Sequence, residues 1–317
     1  MKKEKRSKVK EGLRGIQGLI GGGTRVVGII GDPVEHSLSP RMHNAAFEHL
    51  KLDYVYVPFR VSGDMLRKAV EGVRALNLRG VNVTIPHKVS VMPLLDWVDE
   101  NALDIGAVNT IVVERGELKG YNTDGLGCLE ALKEEKVEVN GGKVVVLGAG
   151  GAARAIAYSL APLASELVLL NRTDSKAIAL AEELRRKGWS VRGGGLRREV
   201  LEGELKDAVL LVNATSVGMY PDVDDSPVPR EVLKSSLTVF DAVYNPIETK
   251  LLRDARSVGA KTIDGVGMLV NQGAVAFKLW TGVNPPKDIM RRAVIDGLTG
   301  RGESDRGSCG ARCGNNC

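Results

Sequence analysis

The chain has 317 residues, 43% of them hydrophobic and 26% charged, which is enough apolar side chain for a large core divided between two domains. No apolar run approaches the length of a membrane-spanning helix, and the N-terminus lacks the apolar centre of a secretory signal, so a cytoplasmic protein is expected rather than a membrane-bound or exported one. The net charge of +5 does not make the body basic: residues 1–25 hold eight Lys or Arg against two Glu, which leaves about −1 for the remainder and no expectation of a nucleic-acid partner.

In chain order, residues 1–25 read as a lysine-rich disordered arm or a short solvated helix ending at Gly21-Gly22-Gly23. Strands are expected over 26–30, 54–57 and 81–84, with helices over 40–50 and 63–76 between them, a βαβαβ layout. A hairpin over 107–114 and 117–121, turning at Arg115-Gly116, closes this first unit. Residues 143–147 form an aliphatic run suited to a strand buried on both faces, followed by a helix over 152–160 and a strand over 167–170. Strands over 208–212, 238–243 and 261–263 and helices over 175–187 and 249–258 continue the alternation. Helices over 267–280 and 287–297 are candidates to return to the first domain. From residue 300 the tail is rich in Gly, Ser, Arg and Asn and reads as disordered. Its Cys309, Cys313 and Cys317 match no usual zinc spacing, so no metal is expected.

The sequence Gly148-Ala149-Gly150-Gly151-Ala152-Ala153 follows the 143–147 strand and opens the next helix. Gly148 suits a tight turn, Gly150 a close backbone approach to a pyrophosphate, and Ala153 close packing of helix on strand, while the helix start offers free N–H groups. An NAD site ordinarily ends its second strand in an acid that accepts from the ribose 2′-hydroxyl; here Asn171-Arg172-Thr173 stands there, with Lys176 one turn on. Cations and neutral donors suit a 2′-phosphate, so NADP is the expected cofactor.

Four polar clusters occupy the first unit: residues 31–44 with Ser37, Ser39, His36 and His43; 80–88 with Asn82, Thr84 and Lys88; 106–110 with Asn109; and 120–125 with Asp124. Taken singly, Ser39 reads as a helix N-cap ahead of Pro40, Asp124 as another cap, and the two histidines as structural. Lys88 reads as the start of a helix, an electrostatically poor place for a cation.

In order, the segments H-S-L-S-P-x-M-H-N, N-V-T-I-P-H-K, G-A-V-N-T, Y-N-T-D, G-A-G-G-A-A-R-A, N-R-T, N-A-T-S-V-G-M, V-Y-N-P-x-E-T-K and G-M-L-V-x-Q resemble the shikimate/quinate dehydrogenase family over about residues 26–297. The resemblance implies an α/β protein with an N-terminal substrate-binding and catalytic domain (26–124), a Rossmann-type NADP-binding domain (125–266) and C-terminal helices (267–299) packing back on the first. It implies NADPH-dependent reduction of 3-dehydroshikimate to shikimate on the route to the aromatic amino acids. Lys88 and Asp124 match the family's catalytic pair. A free lysine is a poor base at neutral pH and burial works against a neighbouring carboxylate, so the proton roles within the pair stay undivided.

The same resemblance places Ser37 and Ser39 on the substrate carboxylate, Thr84, Asn109, Asp124 and Gln272 around the ring hydroxyls with Asn82 close by, and Tyr244 on the cofactor side. Gly148, Ala149, Gly150, Gly151, Ala152, Asn171, Arg172, Thr173, Lys176 and Thr215 are implied to hold the cofactor, with Gly265 and Met268 beside the nicotinamide. A monomer or a homodimer is expected. A quinate/shikimate enzyme preferring NAD, and a ligand sensor without turnover, remain open on this reading.

Overall fold

The structure, a computed structural model, describes residues 20–300. The arm up to residue 19 and the tail from residue 301, with Cys309, Cys313 and Cys317, lie outside the described residues.

The first of two six-stranded sheets begins with β1 (Arg25–Gly31), crosses through α1 (Ser39–Leu50) to β2 (Tyr54–Arg60), and crosses again through α2 (Leu66–Ala75) to β3 (Gly80–Val83). All three strands run parallel with β1 in the middle. The short β4 (Trp97–Val98) and α3 (Glu100–Ile105) precede an antiparallel hairpin of β5 (Thr110–Glu114) and β6 (Glu117–Tyr121), giving the order β2-β1-β3-β5-β6-β4. Arg115 and Gly116 both take positive φ, 52° and 83°, as a two-residue turn matched to strand twist demands.

Helix α4 (Asp124–Glu134) leads to the second sheet, wholly parallel: β7 (Lys143–Leu147), α5 (Gly151–Leu160), β8 (Glu166–Asn171), α6 (Asp174–Arg185), β9 (Val191–Gly195), α7 (Arg198–Glu204), β10 (Ala208–Asn213), β11 (Thr238–Asp241), α8 (Lys250–Ser257) and β12 (Lys261–Ile263). The order β12-β11-β10-β7-β8-β9 reverses direction beside β7, so the crevice of a doubly wound sheet opens at the carboxyl end of that strand. Helices α9 (Gly265–Thr281) and α10 (Lys287–Thr299) share a core with α1 and β1: Met42, Phe47, Phe277, Trp280 and Met290 are buried together there. Trp280 donates from Nε1 to the Ile111 carbonyl at 3.0 Å, and only glycine fits beneath it, since a Cβ on Gly80 would lie 2.3 Å from that nitrogen.

Several elements depart from expectation for identifiable reasons. The strand expected over 107–114 starts only at Thr110, because the Val108 N–H is given to the Lys88 carbonyl and the Asn109 carbonyl to the Val83 N–H. The strand expected over 238–243 ends at Asp241, whose side chain turns to accept from the Val243 N–H. No helix starts at Lys88: residues 85–91 are turns, and the 3₁₀ turn Met92–Leu94 comes later. The electrostatic misfit read there does not arise. Ser39 is not an N-cap either, since Leu38 holds that position with no side-chain cap, and Thr123 rather than Asp124 precedes α4.

Helices α3 and α7 and strands β4 and β9 were not anticipated, and α4 was signalled only by the cap reading of Asp124. In α4 the glycines at 125 and 127 depress helix propensity, yet tertiary contact requires them. A Cβ on Gly125 would sit 2.2 Å from the Ser159 hydroxyl on α5, and one on Gly127 would sit 2.8 Å from Cβ of Gln272 on α9.

Candidate active site

The carboxyl ends of β1 and β3 and the start of α4 bring the first-domain clusters together. Lys88, in the turns after β3, donates from Nζ to Asp124 Oδ2 at 2.5 Å, and the two side chains are 14% and 7% exposed. Asn109 gives both amide hydrogens to this group, one to Asp124 Oδ1 at 2.8 Å and one to the Thr123 hydroxyl at 2.9 Å. Its own oxygen accepts from the Thr123 N–H at 2.9 Å, while the Asp124 N–H is held by Asn122 at 3.0 Å. The carboxylate is thus held at both oxygens, and its backbone N–H anchored, before any ligand arrives. A largely buried charge pair so oriented has the geometry that proton transfer requires.

Gln272 on α9 reaches the same cluster, accepting from the Thr123 hydroxyl at 3.5 Å. Thr84 follows β3, half-buried, its methyl carbon close over Gly31. Asn82 is buried and accepts from the Tyr56 phenol at 2.8 Å. Ser39 is 5% exposed at the start of α1 and bonds Tyr56, whose phenol burial pushes well above its ordinary range. Ser37 meets Tyr244, which arrives from the loop after β11; burial raises the Tyr244 phenol, while bonds to the Leu38 N–H and the Ser37 hydroxyl oppose that rise. His36 adds a second contact of this kind, edge-on to the Tyr220 ring at 5.2 Å. His43 is fully buried and stacks 4.6 Å from Tyr56, and burial lowers it to about 3.

The glycine turn faces this cluster directly. A Cβ on Gly151 would lie 2.8 Å from Lys88 Cβ and 2.9 Å from its Cδ, so the lysine stem rests on the turn. Gly148 has φ +113°, a conformation glycine supplies without cost, and nothing lies within 4 Å of where a Cβ of Gly150 would stand. Ala149 and Ala152 flank it half-buried, and Ala153 is fully buried against the strand. The open backbone, the free N-terminus of α5 and the exposed Arg172, Thr173 and Lys176 beyond β8 fit a dinucleotide carrying an extra phosphate. Asn171 spends its amide on the Thr173 carbonyl at 3.0 Å, shaping that turn. Gly265 starts α9, packed where a Cβ would meet the Val243 carbonyl at 2.5 Å, and Met268 is 6% exposed in the core beside Cys128 and Ala131.

Thr215 belongs to a buried network that the sequence reading did not find. Its hydroxyl and N–H both go to Asn213 Oδ1, at 2.7 and 3.0 Å. Asn213 in turn donates to Asp241 Oδ1 at 2.9 Å, where the Val243 N–H also arrives at 3.0 Å, and Thr249 donates to Asp241 Oδ2 at 2.7 Å. Asp241 therefore ties the Thr215 loop to the loop that carries Tyr244. The available signal was a carboxylate at the end of an apolar strand, which has to be hydrogen-bonded to be buried.

Burial pushes Asp241 up to about 6, with its three hydrogen bonds acting in the opposite direction. A folded value above the unfolded one means stability is fully present in acid and is lost as pH rises through about 6. Asp241→Asn keeps the doubly accepting Oδ1 and turns Oδ2 into a donor to Thr249. The variant should melt with the wild type near pH 4 and become more stable above pH 6, by up to about 3 kcal/mol. Thermal melts across this range check it; parallel curves at every pH would mean the buried charge costs nothing.

A glycine turn at the crevice of a doubly wound sheet, facing a lysine–carboxylate pair on a second α/β unit, is the arrangement of a nucleotide-dependent oxidoreductase. Comparison with known proteins narrows this. Residues 29–111 match the family model of the shikimate dehydrogenase substrate binding domain, and residues 265–295 that of the shikimate 5′-dehydrogenase C-terminal domain. Shikimate dehydrogenase (NADP(+)) of Methanopyrus kandleri is 53% identical over 279 residues, covering 87% of this chain and 96% of that protein. That of Methanocaldococcus jannaschii is 48% identical over 282 residues, 89% of this chain and all of that one. A crystal structure of a shikimate dehydrogenase in complex with NADP+ superposes with a TM-score of 0.82 at 47% identity, covering 88% of this chain and 97% of the other. The chain belongs to the shikimate dehydrogenase family.

Proposed function

We propose that the protein interconverts 3-dehydroshikimate and shikimate with NADP(H), in the biosynthesis of the aromatic amino acids. The observation that carries this reading is the 2.5 Å contact between Lys88 and Asp124 with the Lys88 stem against Gly151, which joins a proton-transferring pair to the glycine turn. NADPH, when bound, supplies the hydride for the C3 carbonyl. The Lys88 ammonium stands beside the C3 oxygen and neutralises the charge that develops there, and the Lys88–Asp124 pair provides the proton that the oxygen gains. Asn109 and Asn122 keep Asp124 facing the lysine.

Ser37 and Ser39 take the substrate carboxylate, and Thr84, Asn109 and Gln272 face the ring hydroxyls with Asp124. Tyr244 closes the site from the second sheet. Gly148, Ala149, Gly150, Gly151 and Ala152 hold the pyrophosphate and Asn171, Arg172, Thr173 and Lys176 the 2′-phosphate, while Thr215, Gly265 and Met268 flank the nicotinamide half. In this reading the unit boundaries fall at residues 26, 124, 266 and 299, and the enzyme works in the cytoplasm as a monomer or homodimer. NADP-dependent oxidation of shikimate, followed at the NADPH absorbance with quinate and NAD in parallel, tests it. Turnover with shikimate and NADP is expected; a preference for quinate or NAD would move the protein to the catabolic side of the family.

A further inference from the structure

The NADP reading leaves one charged group unexplained. Asp174 opens α6 two residues after Arg172, at the strand edge where the 2′-phosphate is placed. Its carboxylate oxygens lie 2.7 Å from the position a Cβ of Gly195 would take. Gly195 ends β9 in register with Asn171, the last residue of β8, so Asp174 hangs over the same strand ends from which Arg172 projects. A carboxylate there is what a nucleotide site uses to accept from the 2′-hydroxyl of NAD, and it repels a 2′-phosphate.

The fold supplies a counter-charge from the opposite side. The Leu196 N–H bonds the Asn171 carbonyl at 3.0 Å, which carries Arg197 past the end of β9, and the Arg197 guanidinium pairs with Asp174 Oδ2. Arg197 and Asp174 are 64% and 37% exposed, open to a ligand rather than part of a core. Arg197 stands outside the N-R-T-x-x-K run that the sequence reading used, and Asp174 is an unread position within it.

We propose that Arg197 is a specificity-determining residue acting through Asp174: by neutralising that carboxylate it turns an edge that would favour NAD into one that accepts a 2′-phosphate. This rests on the NADP reading above. Arg172 and Lys176 attract the phosphate, and Arg197 removes the charge that opposes it. A negative element aimed against the wrong ligand is silenced, and specificity follows from the difference.

Binding of NADP+ and NAD+ by calorimetry to the wild type, Arg197→Ala, Asp174→Asn and the double variant tests this without relying on turnover. Arg197→Ala should weaken NADP+ about tenfold and strengthen or spare NAD+, since it leaves an uncompensated carboxylate at the site. The double variant should regain most of the lost NADP+ affinity, and Asp174→Asn alone should bind NADP+ at least as tightly as the wild type. A double variant no better than Arg197→Ala, or an Arg197→Ala protein with unchanged preference, would overturn the proposal. Melting temperatures near that of the wild type are expected for all three, because the pair is on the surface. A wild-type protein that prefers NAD+ would instead overturn the cofactor reading, and this proposal with it.

Discussion

Replacing Lys88 by Met is expected to lower kcat for shikimate oxidation by about a thousandfold while leaving the Kd for NADP+ within about twofold. The side chain donates to Asp124 at 2.5 Å and is largely buried, so its loss removes the group proposed to stand beside the reacting oxygen and leaves the carboxylate without its cation. Methionine is the informative choice because the lysine stem packs on Gly151. Alanine would strip that contact and disturb the glycine turn, mixing a chemical effect with a cofactor effect. The split between kcat and Kd, read from steady-state kinetics and a binding titration, decides between roles. A fall in NADP+ affinity as large as the fall in kcat would make Lys88 a support of the turn rather than part of the chemistry. Asn109→Ala should produce a milder version of the same split, because Asp124 still donates its backbone N–H to Asn122 and still accepts from Lys88 but loses an orienting donor to Oδ1.

Arg172→Ala should weaken NADP+ by about ten- to a hundredfold and alter NAD+ binding by less than about twofold, since a charge-assisted hydrogen bond to phosphate contributes about 1.5–3 kcal/mol. Arg172 is exposed at the end of β8 and nothing in the core depends on it, so the variant should fold normally. Raising ionic strength should shrink the wild-type preference for NADP+ more than that of the variant, which keeps only Lys176, because exposed charges are screened over about 8–10 Å. Equal losses for both cofactors would show that Arg172 shapes the turn rather than reads the phosphate.

Much of the fold was legible because its strands are long apolar runs. The 143–147 strand and its glycine turn, the Arg115-Gly116 hairpin and the helices ending near residues 50 and 160 all follow from local chemistry. What escaped was whatever local chemistry disfavours. Strand β9 reads Val-Arg-Gly-Gly-Gly and exists only by pairing with β8, and α4 carries two glycines that only the close approach of α5 and α9 explains. Lys88 looked like a misplaced helix start because the sequence does not show that the Val108 N–H takes up its carbonyl and Asp124 its ammonium.

By itself the sequence determined the family, the cofactor class and the residue types at the site, because the glycine spacing, the missing acid at the very end of β8 and the ordered polar segments are each local chemical statements. Tertiary structure decided which polar and charged side chains meet. Lys88 meets Asp124 across 36 positions, Asp241 meets Asn213 across 28 and Arg197 meets Asp174 across 23. Hydrogen bonds and ion pairs act over a few ångströms of space, and no periodicity in the chain encodes which distant strands will end side by side.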